Sequence, residues 1–160
     1  MKDVVIVSAC RTPIGAFGGT LCHSNAAELA SVSMKEAVKR ANIDPSIIDD
    51  VRYGCCMEPV DTLNVTRIAA LLHDLPDNVT TVTINRVCIS GMEAVISGLA
   101  MIQSGMADVI LAGGQENMSL APMALPKARW GHRMELTGVG DVLDLMVFDG
   151  LWEIFYGYHM

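Results

Sequence analysis

One cysteine lies where an α/β fold could use it as a nucleophile. Cys88 falls within residues 85–92, between the β-branched run 79–84 and a long apolar segment that begins at Ser90. A strand followed by a helix would place this thiol at the carboxyl edge of a sheet, where open α/β folds present functional groups. The positive end of the helix favours a thiolate over a thiol, and its unpaired N–H groups could hold an acyl oxyanion.

Two interpretations of Cys88 remain open from these residues. It is a nucleophile, or it is one more small buried residue, which is a common role of a free cysteine. A thiol is well suited to acyl transfer from a thioester, because one thiol leaving group replaces another of similar basicity.

The other four cysteines, Cys10, Cys22, Cys55 and Cys56, show no pattern of a metal site or a disulfide framework. None forms a C-x-x-C pair or a Cys/His pair with zinc spacing, so we expect no metal ion. Cys55 and Cys56 fall at the end of a predicted strand, 51–55, where they should point to opposite faces. We interpret this pair as packing rather than redox chemistry.

Strand-like and helix-like segments alternate along the first 114 residues. Continuous apolar strands in such an alternation indicate an α/β fold with a βαβαβαβ core, a mostly parallel sheet and helices on both faces. The predicted strands are 4–8, 51–55, 79–84 and 108–114, and the predicted helices run from Ser24 or Asn25 to about residue 41, over 64–72 and over 90–105.

Three of these segments carry more specific predictions. Asn25 and Glu28 have the spacing of a capping box at the start of the first helix. Residues 4–8 should form a strand buried on both faces. The helix 90–105 is apolar nearly all the way round and should be buried on all sides, with Gly91 and Gly98 allowing close approach of neighbouring backbones.

Composition excludes several classes of protein. The chain has 160 residues, 51% of them hydrophobic, with 11 basic and 18 acidic side chains and a net charge of −7. This is one domain's length with a substantial core, so a disordered chain is excluded and nucleic-acid binding is disfavoured. The sequence shows no uninterrupted membrane span and no signal peptide, so we expect a cytoplasmic protein without membrane contact.

Residues 115–160 change character and become rich in Met and aromatic side chains, which is typical of a covering or binding layer. Left exposed, they would form an apolar patch that favours association. Basic and acidic side chains also fall in separate stretches here. Two interpretations remain open: these stretches are solvated loops, or they form a surface used for assembly or for binding an anionic ligand. The bases are Lys127, Arg129 and Arg133, and the acids are Glu135, Asp141, Asp144, Asp149 and Glu153.

Several motifs, in order along the whole chain, resemble the thiolase family, in its acetyl-CoA C-acetyltransferase branch. They are VVIVSACRTPIGAFGG at 4–19, Asn64 with Arg67, NRVCISGM at 85–92, ADVILAGGQENMS at 107–119, ARWGHR at 128–133, and the segments 149–152 and 158–160.

The resemblance implies a thiolase-like fold in which two similar halves stack as an α-β-α-β-α sandwich. Residues 1–118 would be the N-terminal core domain, and residues 119–160 would begin a loop domain for coenzyme A binding and assembly. The C-terminal half of the family pattern is absent. Thiolases are dimers or tetramers, so a homo-oligomer is expected.

The resemblance also implies residue roles. Cys88 would be S-acylated by an acyl-CoA substrate, and the carbanion of a second acetyl-CoA would attack the acyl group, with thiolysis as the reverse reaction. The backbone N–H of Cys88 would form part of an oxyanion hole. Leu151, His159 and Met160 would line the acyl and pantetheine end of the coenzyme A tunnel, or else serve as core residues. Coenzyme A thioesters enter as substrates, and no cofactor is implied.

Two departures and one absence qualify these expectations. Ile89 stands where the family usually has Gly or Ala, and the loop 60–64 is shorter than usual, which affects the expected substrate range. The family's activating His, second Cys and Asn belong to the C-terminal half, so the chain alone should be inactive and should need that half. His23, His73 and His132 match no catalytic role and should be surface or loop residues. The alternative is a non-catalytic module that binds acyl-CoA or lipid, or that serves assembly.

Overall fold

A computed structural model describes residues 3–131 and 141–160. Its helices are α1 (Ala26–Ala41), α2 (Val65–Leu72), α3 (Ser90–Ser104) and the single turn α4 (Leu145–Phe148). Its strands are β1 (Asp50–Gly54), β2 (Thr80–Ile84), β3 (Ile110–Gly114), β4 (Met123–Ala124), β5 (Leu143–Asp144), β6 (Trp152–Glu153) and β7 (Tyr158–His159).

The central sheet has the order β2-β1-β3, and both strand pairs are parallel. Gly54 at the end of β1 lies opposite Ile84 and Gly114, so the three strands end at one common edge. The prediction of an α/β fold with a mostly parallel sheet is confirmed.

Alternating side chains of β1 face two different helical layers. Tyr53 lies on the side of α1, where its hydroxyl is 3.4 Å from that of Ser33. Arg52 faces the other way, and its Nε donates to Ser97 of α3 at 2.9 Å. Helices therefore cover both faces, with α1 and α2 on one side and α3 on the other.

The hydrophobic core lies between the sheet and the α1–α2 layer. Met34 and Val51 are completely buried there. The other fully or nearly fully buried members include Ala30, Tyr53, Cys55, Val65, Ala69 and Ala70.

The start of α1 confirms the predicted capping box. Asn25 Oδ1 accepts from the N–H of Ala27 at 2.8 Å, and Glu28 Oε2 accepts from the N–H of Asn25 at 2.9 Å. Asn42 ends the helix in the left-handed conformation, at φ 51°. Side chains thus satisfy backbone donors that the first turn leaves unpaired.

The prediction of a strand over 4–8, buried on both faces, is wrong for this chain. These residues form no strand, and Val5, Ile6 and Val7 are 70–82% exposed. The end of the segment contacts α1, where the Ser8 hydroxyl donates to the Ala37 carbonyl at 2.7 Å. A strand needs a partner edge, and no strand within the described residues pairs with this segment.

The prediction that α3 is buried on all sides is also wrong. Only Ser90, Ala94 and Gly98 are buried, because the helix packs on the sheet with one narrow face. The outer face carries exposed apolar side chains, namely Met92, Val95, Ile96 and Leu99.

Small residues on α3 govern how closely it meets the sheet. A Cβ at Gly98 would lie 2.9 Å from Ile110 Cγ2, so close approach is confirmed there. At Gly91 the nearest atom would be 3.9 Å away, which leaves ordinary room. By length and composition alone, Val87–Ser104 would be long and apolar enough to cross a membrane, a test that core helices also pass.

After β3 the chain forms short antiparallel pairs, β4 with β5 and β6 with β7. The predicted change of character after residue 115 is therefore visible as a change from βα units to small hairpins. The division into domains at residue 118 stays a prediction. His132, Arg133 and Glu135 lie outside the described residues.

Candidate active site around Cys88

The Cys88 thiol lies at the carboxyl edge of the sheet, between β2 and α3. Its residue is exposed, and α3 begins two positions later at Ser90. Ile89, the N-cap residue of α3, contributes no side-chain hydrogen bond to the helix. Within the described residues, the backbone N–H of Cys88 has no hydrogen-bond acceptor.

The turn that presents Cys88 is strained at Val87. This residue has φ 51°, a left-handed conformation that β-branched side chains rarely adopt. Asn85 Oδ1 accepts from the Val87 N–H at 3.0 Å, which holds the turn from one side. Such strain persists only where the surroundings impose it, and it often marks functional sites.

Ser90 holds the same turn from the helix side. Its buried hydroxyl accepts from the Arg86 N–H at 2.8 Å and donates to the Val87 carbonyl at 2.5 Å. Arg86 also forms an ion pair with Glu93 on α3. The segment between β2 and α3 is therefore fixed at each of its residues before Cys88.

Glycine at the end of β1 lets α3 begin directly over the sheet. A Cβ on Gly54 would lie 2.4 Å from the Ser90 carbonyl carbon and 2.5 Å from the Gly91 nitrogen. Real side chains do not tolerate such contacts with backbone, so any larger residue must displace the start of α3. Gly54 thereby controls the position of Cys88, although the two residues are 34 positions apart.

The sequence predicted that Cys55 and Cys56 lie at the end of a strand. The structure ends β1 at Gly54, so both cysteines lie in the loop that follows it. Glu116 binds this loop, accepting from the N–H of Cys56 at 2.8 Å and from that of Met57 at 3.1 Å. Burial, reinforced by the charge of Glu116, raises the pKa of the Cys55 thiol far above its usual range. Cys55 is thus a neutral packing residue, in agreement with its predicted structural role.

Cys56 reaches the turn that carries Cys88. Its Sγ lies 2.7 Å from the Val87 carbonyl oxygen and 3.5 Å from the Ser90 hydroxyl oxygen. Burial is the largest cause that raises the pKa of the Cys56 thiol, so the neutral S–H form, a hydrogen-bond donor, is favoured. No pattern in the sequence pointed to this contact between residues 31 positions apart.

An open cleft of about 330 Å³ lies beside Val87. Met160 lines it, together with other residues of the Met- and aromatic-rich stretch 115–160, among them Phe148, Trp152 and Ile154. Phe148 and Trp152 pack together with ring centroids 5.4 Å apart. In the sequence, only the aromatic and apolar character of these residues pointed to a role in binding.

The three predicted substrate-binding residues sit close together at the end of the chain. The Met160 N–H donates to the Leu151 carbonyl at 2.9 Å. His159 lies opposite Trp152 in the β6–β7 pair and is exposed. Of the three, Met160 lines the cleft beside Val87, whereas Leu151 and His159 do not, and Cys88 itself is not among the lining residues.

Asn64 and Arg67 connect α2 to β2 rather than reaching Cys88. Asn64 Oδ1 accepts from the Arg67 N–H at 3.1 Å and from the Thr83 hydroxyl at 2.7 Å. The Arg67 guanidinium donates to the carbonyls of Val79 and Asp77. Both residues of this motif therefore have a structural role, which is to hold α2 against β2 and the turn before it.

The histidines supply no base to Cys88 in the described chain. His23 is exposed, as predicted, but His73 is partly buried, and neither of its ring nitrogens has a partner among the described residues. His73 lies in the turn that follows α2, where its backbone N–H caps the helix, so the predicted loop position is confirmed although the side chain is partly buried. Within residues 3–131 and 141–160, no group of three His, Cys, Asp or Glu residues could hold a metal ion.

Comparison with known proteins gives a consistent assignment. The family model "Thiolase, N-terminal domain" matches residues 4–160. An acetyl-CoA acetyltransferase of Syntrophomonas wolfei is 48% identical over 159 residues, which cover 99% of this chain and 40% of that protein. An acetyl-CoA acetyltransferase of Cupriavidus necator is 44% identical over 160 residues, again 40% of its length.

A solved structure agrees with the sequence comparisons. The crystal structure of the Bacillus anthracis acetyl-CoA acetyltransferase superimposes with a TM-score of 0.91 at 41% identity. It covers 98% of this chain, which spans 39% of the chain in that crystal. The present chain thus spans about two fifths of the length of these relatives, and it belongs to the thiolase family, whose N-terminal domain it represents.

Proposed function

We propose that this chain supplies the nucleophilic half of a thiolase-type acyltransferase. Cys88 would accept an acetyl group from acetyl-CoA, and condensation with a second acetyl-CoA would give acetoacetyl-CoA. In the reverse direction, the enzyme would cleave acetoacetyl-CoA by thiolysis. The observation that carries the proposal is the exposed Cys88 thiol, held at a helix start beside a backbone N–H without an acceptor. The names of the matched relatives support acetyl-CoA as the substrate.

The first half-reaction follows from this geometry. The Cys88 thiolate attacks the thioester carbonyl carbon, a C–S bond forms, and the carbonyl electrons move onto oxygen. The Cys88 N–H is available to donate to that oxyanion. When the oxyanion collapses, the bond to the coenzyme A sulfur breaks and the thiolate leaves, taking up a proton from solvent or from a base.

The cleft beside Val87 is the proposed place for the acyl and pantetheine groups. Its lining by Met160, Trp152 and Phe148 offers an apolar wall for a short acyl chain. We propose that Leu151 and His159, which do not line this cleft, also contact the acyl and pantetheine groups. The half-exposed Ile89 side chain, next to the nucleophile, would narrow the space for longer acyl groups.

The complete reaction needs groups that the described residues do not bring to Cys88. Within that part of the chain Cys88 makes no hydrogen bond to a base. No residue there is therefore assigned to deprotonate the thiol, and none to deprotonate the second acetyl-CoA. We propose that a C-terminal thiolase half provides them, that the assembled enzyme is a homodimer or tetramer, and that it works in the cytoplasm. Residues 119–160 would contribute to coenzyme A binding and assembly.

Selective acylation tests the proposal. The 160-residue chain is treated with S-(4-nitrophenyl) thioacetate, and acetylation of each cysteine is measured by peptide mass spectrometry. We expect Cys88 to be acetylated first, and a Cys88→Ala variant to lose that product without gaining acetylation elsewhere. Equal acetylation of Cys22 and Cys88 in the parent chain would refute the nucleophile role.

A second candidate function is a non-catalytic module for acyl-CoA binding or assembly. The exposed apolar face of α3 and the lack of a base at Cys88 in the described chain favour it. Saturable binding of acetyl-CoA by the chain, measured by calorimetry, without any acetylation of Cys88 would favour this module. Acetylation of Cys88 by acetyl-CoA would favour the enzyme.

A further inference from the structure

The Val87 carbonyl oxygen is the acceptor of three donors, which is more than its two lone pairs ordinarily serve. Ser90 contributes its hydroxyl at 2.5 Å and its backbone N–H at 3.1 Å, and the Cys56 thiol lies at 2.7 Å. All three lie on the inner side of the turn, toward the loop after β1 and the start of α3.

This carbonyl belongs to the same peptide group as the Cys88 N–H. In a trans peptide the C=O and N–H point in opposite directions, and the chain contains no cis peptide bond within the described residues. Holding the Val87 carbonyl inward therefore turns the Cys88 N–H outward, where it has no acceptor within the described chain. Hydrogen bonds to the carbonyl also polarise the peptide group, which makes its N–H a stronger donor.

We propose that the Cys56 thiol and the Ser90 hydroxyl are positioning groups that aim and strengthen the Cys88 N–H as the donor to the acyl oxyanion. This inference rests on the proposed function of Cys88. Neither group touches the substrate, and both act through the Val87–Cys88 peptide. The left-handed conformation of Val87 is the backbone strain that this arrangement holds in place.

Two electrophiles separate this role from a general effect on the thiol. S-(4-nitrophenyl) thioacetate reacts through a tetrahedral oxyanion, which the N–H stabilises. Iodoacetamide reacts by displacement of iodide at a saturated carbon, and no oxyanion forms. A group that acts on the N–H changes the first rate alone, whereas a group that alters the exposure or ionisation of Cys88 changes both.

The experiment compares both rates at Cys88 by peptide mass spectrometry on the full 160-residue chain. In Cys56→Val, which removes the S–H donor at similar volume, we expect acetylation to slow about three- to tenfold and alkylation to stay within about twofold. Cys56→Ser keeps a donor and should retain the parent rate. Cys22→Val removes a thiol elsewhere and is the matched control.

A second pair of variants keeps the test independent of Cys56. Ser90→Ala removes the hydroxyl, and Ser90→Thr retains it, with folding checked by circular dichroism. If Ser90→Ala does not fold, the Cys56 variants alone decide the question. Slowing of acetylation alone, with rescue by Cys56→Ser, supports the inference.

Other outcomes overturn it in distinguishable ways. Unchanged acetylation in Cys56→Val, or equal slowing of acetylation and alkylation, refutes the positioning role while leaving Cys88 as the nucleophile. A parent chain in which Cys88 is not acetylated in preference to the other cysteines removes the proposed function and, with it, the role of Cys56 and Ser90.

Discussion

The two faces of the sheet are built differently. On the α1–α2 face, Met34, Val51 and Tyr53 are sealed in a continuous core, and burial raises the pKa of Tyr53 to about 12. On the α3 face only a narrow stripe of small residues is buried, and the outer side of the helix is apolar and exposed. Stability therefore lies mainly on one face, while the candidate nucleophile lies at the edge of the other.

The helix starts show the same division. α1 begins with a complete capping box, whereas α3 begins at Ile89 with no side-chain cap. A cap side chain would occupy the first N–H groups of α3. At α3 the first N–H, that of Ser90, donates to the Val87 carbonyl instead, and the Cys88 N–H before the helix has no acceptor within the described residues.

The largest expected effect is on the sealed face. Met34→Ala should lower the free energy of unfolding by about 2–5 kcal/mol, because it opens a cavity in the core. Met92→Ala, on the exposed side of α3, should change it by less than about 0.5 kcal/mol. Denaturant titration of both variants measures the difference, and equal losses would contradict the division between the two faces.

Next in size is the contact between the sheet and the start of α3. Gly54→Ala places a Cβ against backbone atoms and should cost about 1–3 kcal/mol, with slower acetylation of Cys88 as α3 shifts. Gly91→Ala, where the added Cβ has room, is the matched control and should be neutral or stabilising by up to about 1 kcal/mol. A Gly54→Ala chain with parental stability and parental Cys88 reactivity would disprove the close approach.

The caps give a smaller difference. Asn25→Ala should destabilise the chain by about 1 kcal/mol, since it removes the side-chain acceptor of the capping box. Ile89→Ala removes no cap and should stay within about 0.5 kcal/mol. Thermal unfolding of the two variants tests this, and a larger loss for Ile89→Ala would reverse our assignment of where capping matters.

The smallest effect concerns pH on the sealed face. Burial lowers the pKa of His73, so its cation is less favourable in the folded chain than in the unfolded chain. The stability contributed by neutral His73 is present above the unfolded pKa of about 6.5 and is lost as pH falls below it. His73→Gln should flatten the stability profile between pH 7 and 5, whereas exposed His23→Gln should not. Identical profiles for the two variants would refute the burial effect.

Local patterns predicted those parts of the fold that neighbouring residues control. Asn25 and Glu28 predicted a capping box because both of its hydrogen bonds join residues three or fewer positions apart. The β-branched run around β2 and the apolar segment of α3 predicted their secondary structure through side-chain sterics. The position of Cys88 between them followed directly from this order of elements.

Predictions that depended on a neighbour in space were less successful. Residues 4–8 have the composition of a buried strand, but a strand also needs an edge to pair with, and no strand of the described chain pairs with them. The same holds for α3, whose all-round apolar surface indicates full burial, while the described chain covers one side only. Apolar character shows that a surface favours burial; it does not show what will cover it.

The sequence alone determined the family, the parallel α/β layout and the cysteine at the junction of strand and helix. These features depend on the order of motifs and on the sterics of neighbouring side chains, both of which can be read from the sequence. Only the tertiary structure decided that Gly54 supports the start of α3 and that Cys56 and Ser90 meet at the Val87 carbonyl. These contacts join separate segments, and their distances depend on how the sheet and helices pack. For that reason no spacing in the sequence could predict them.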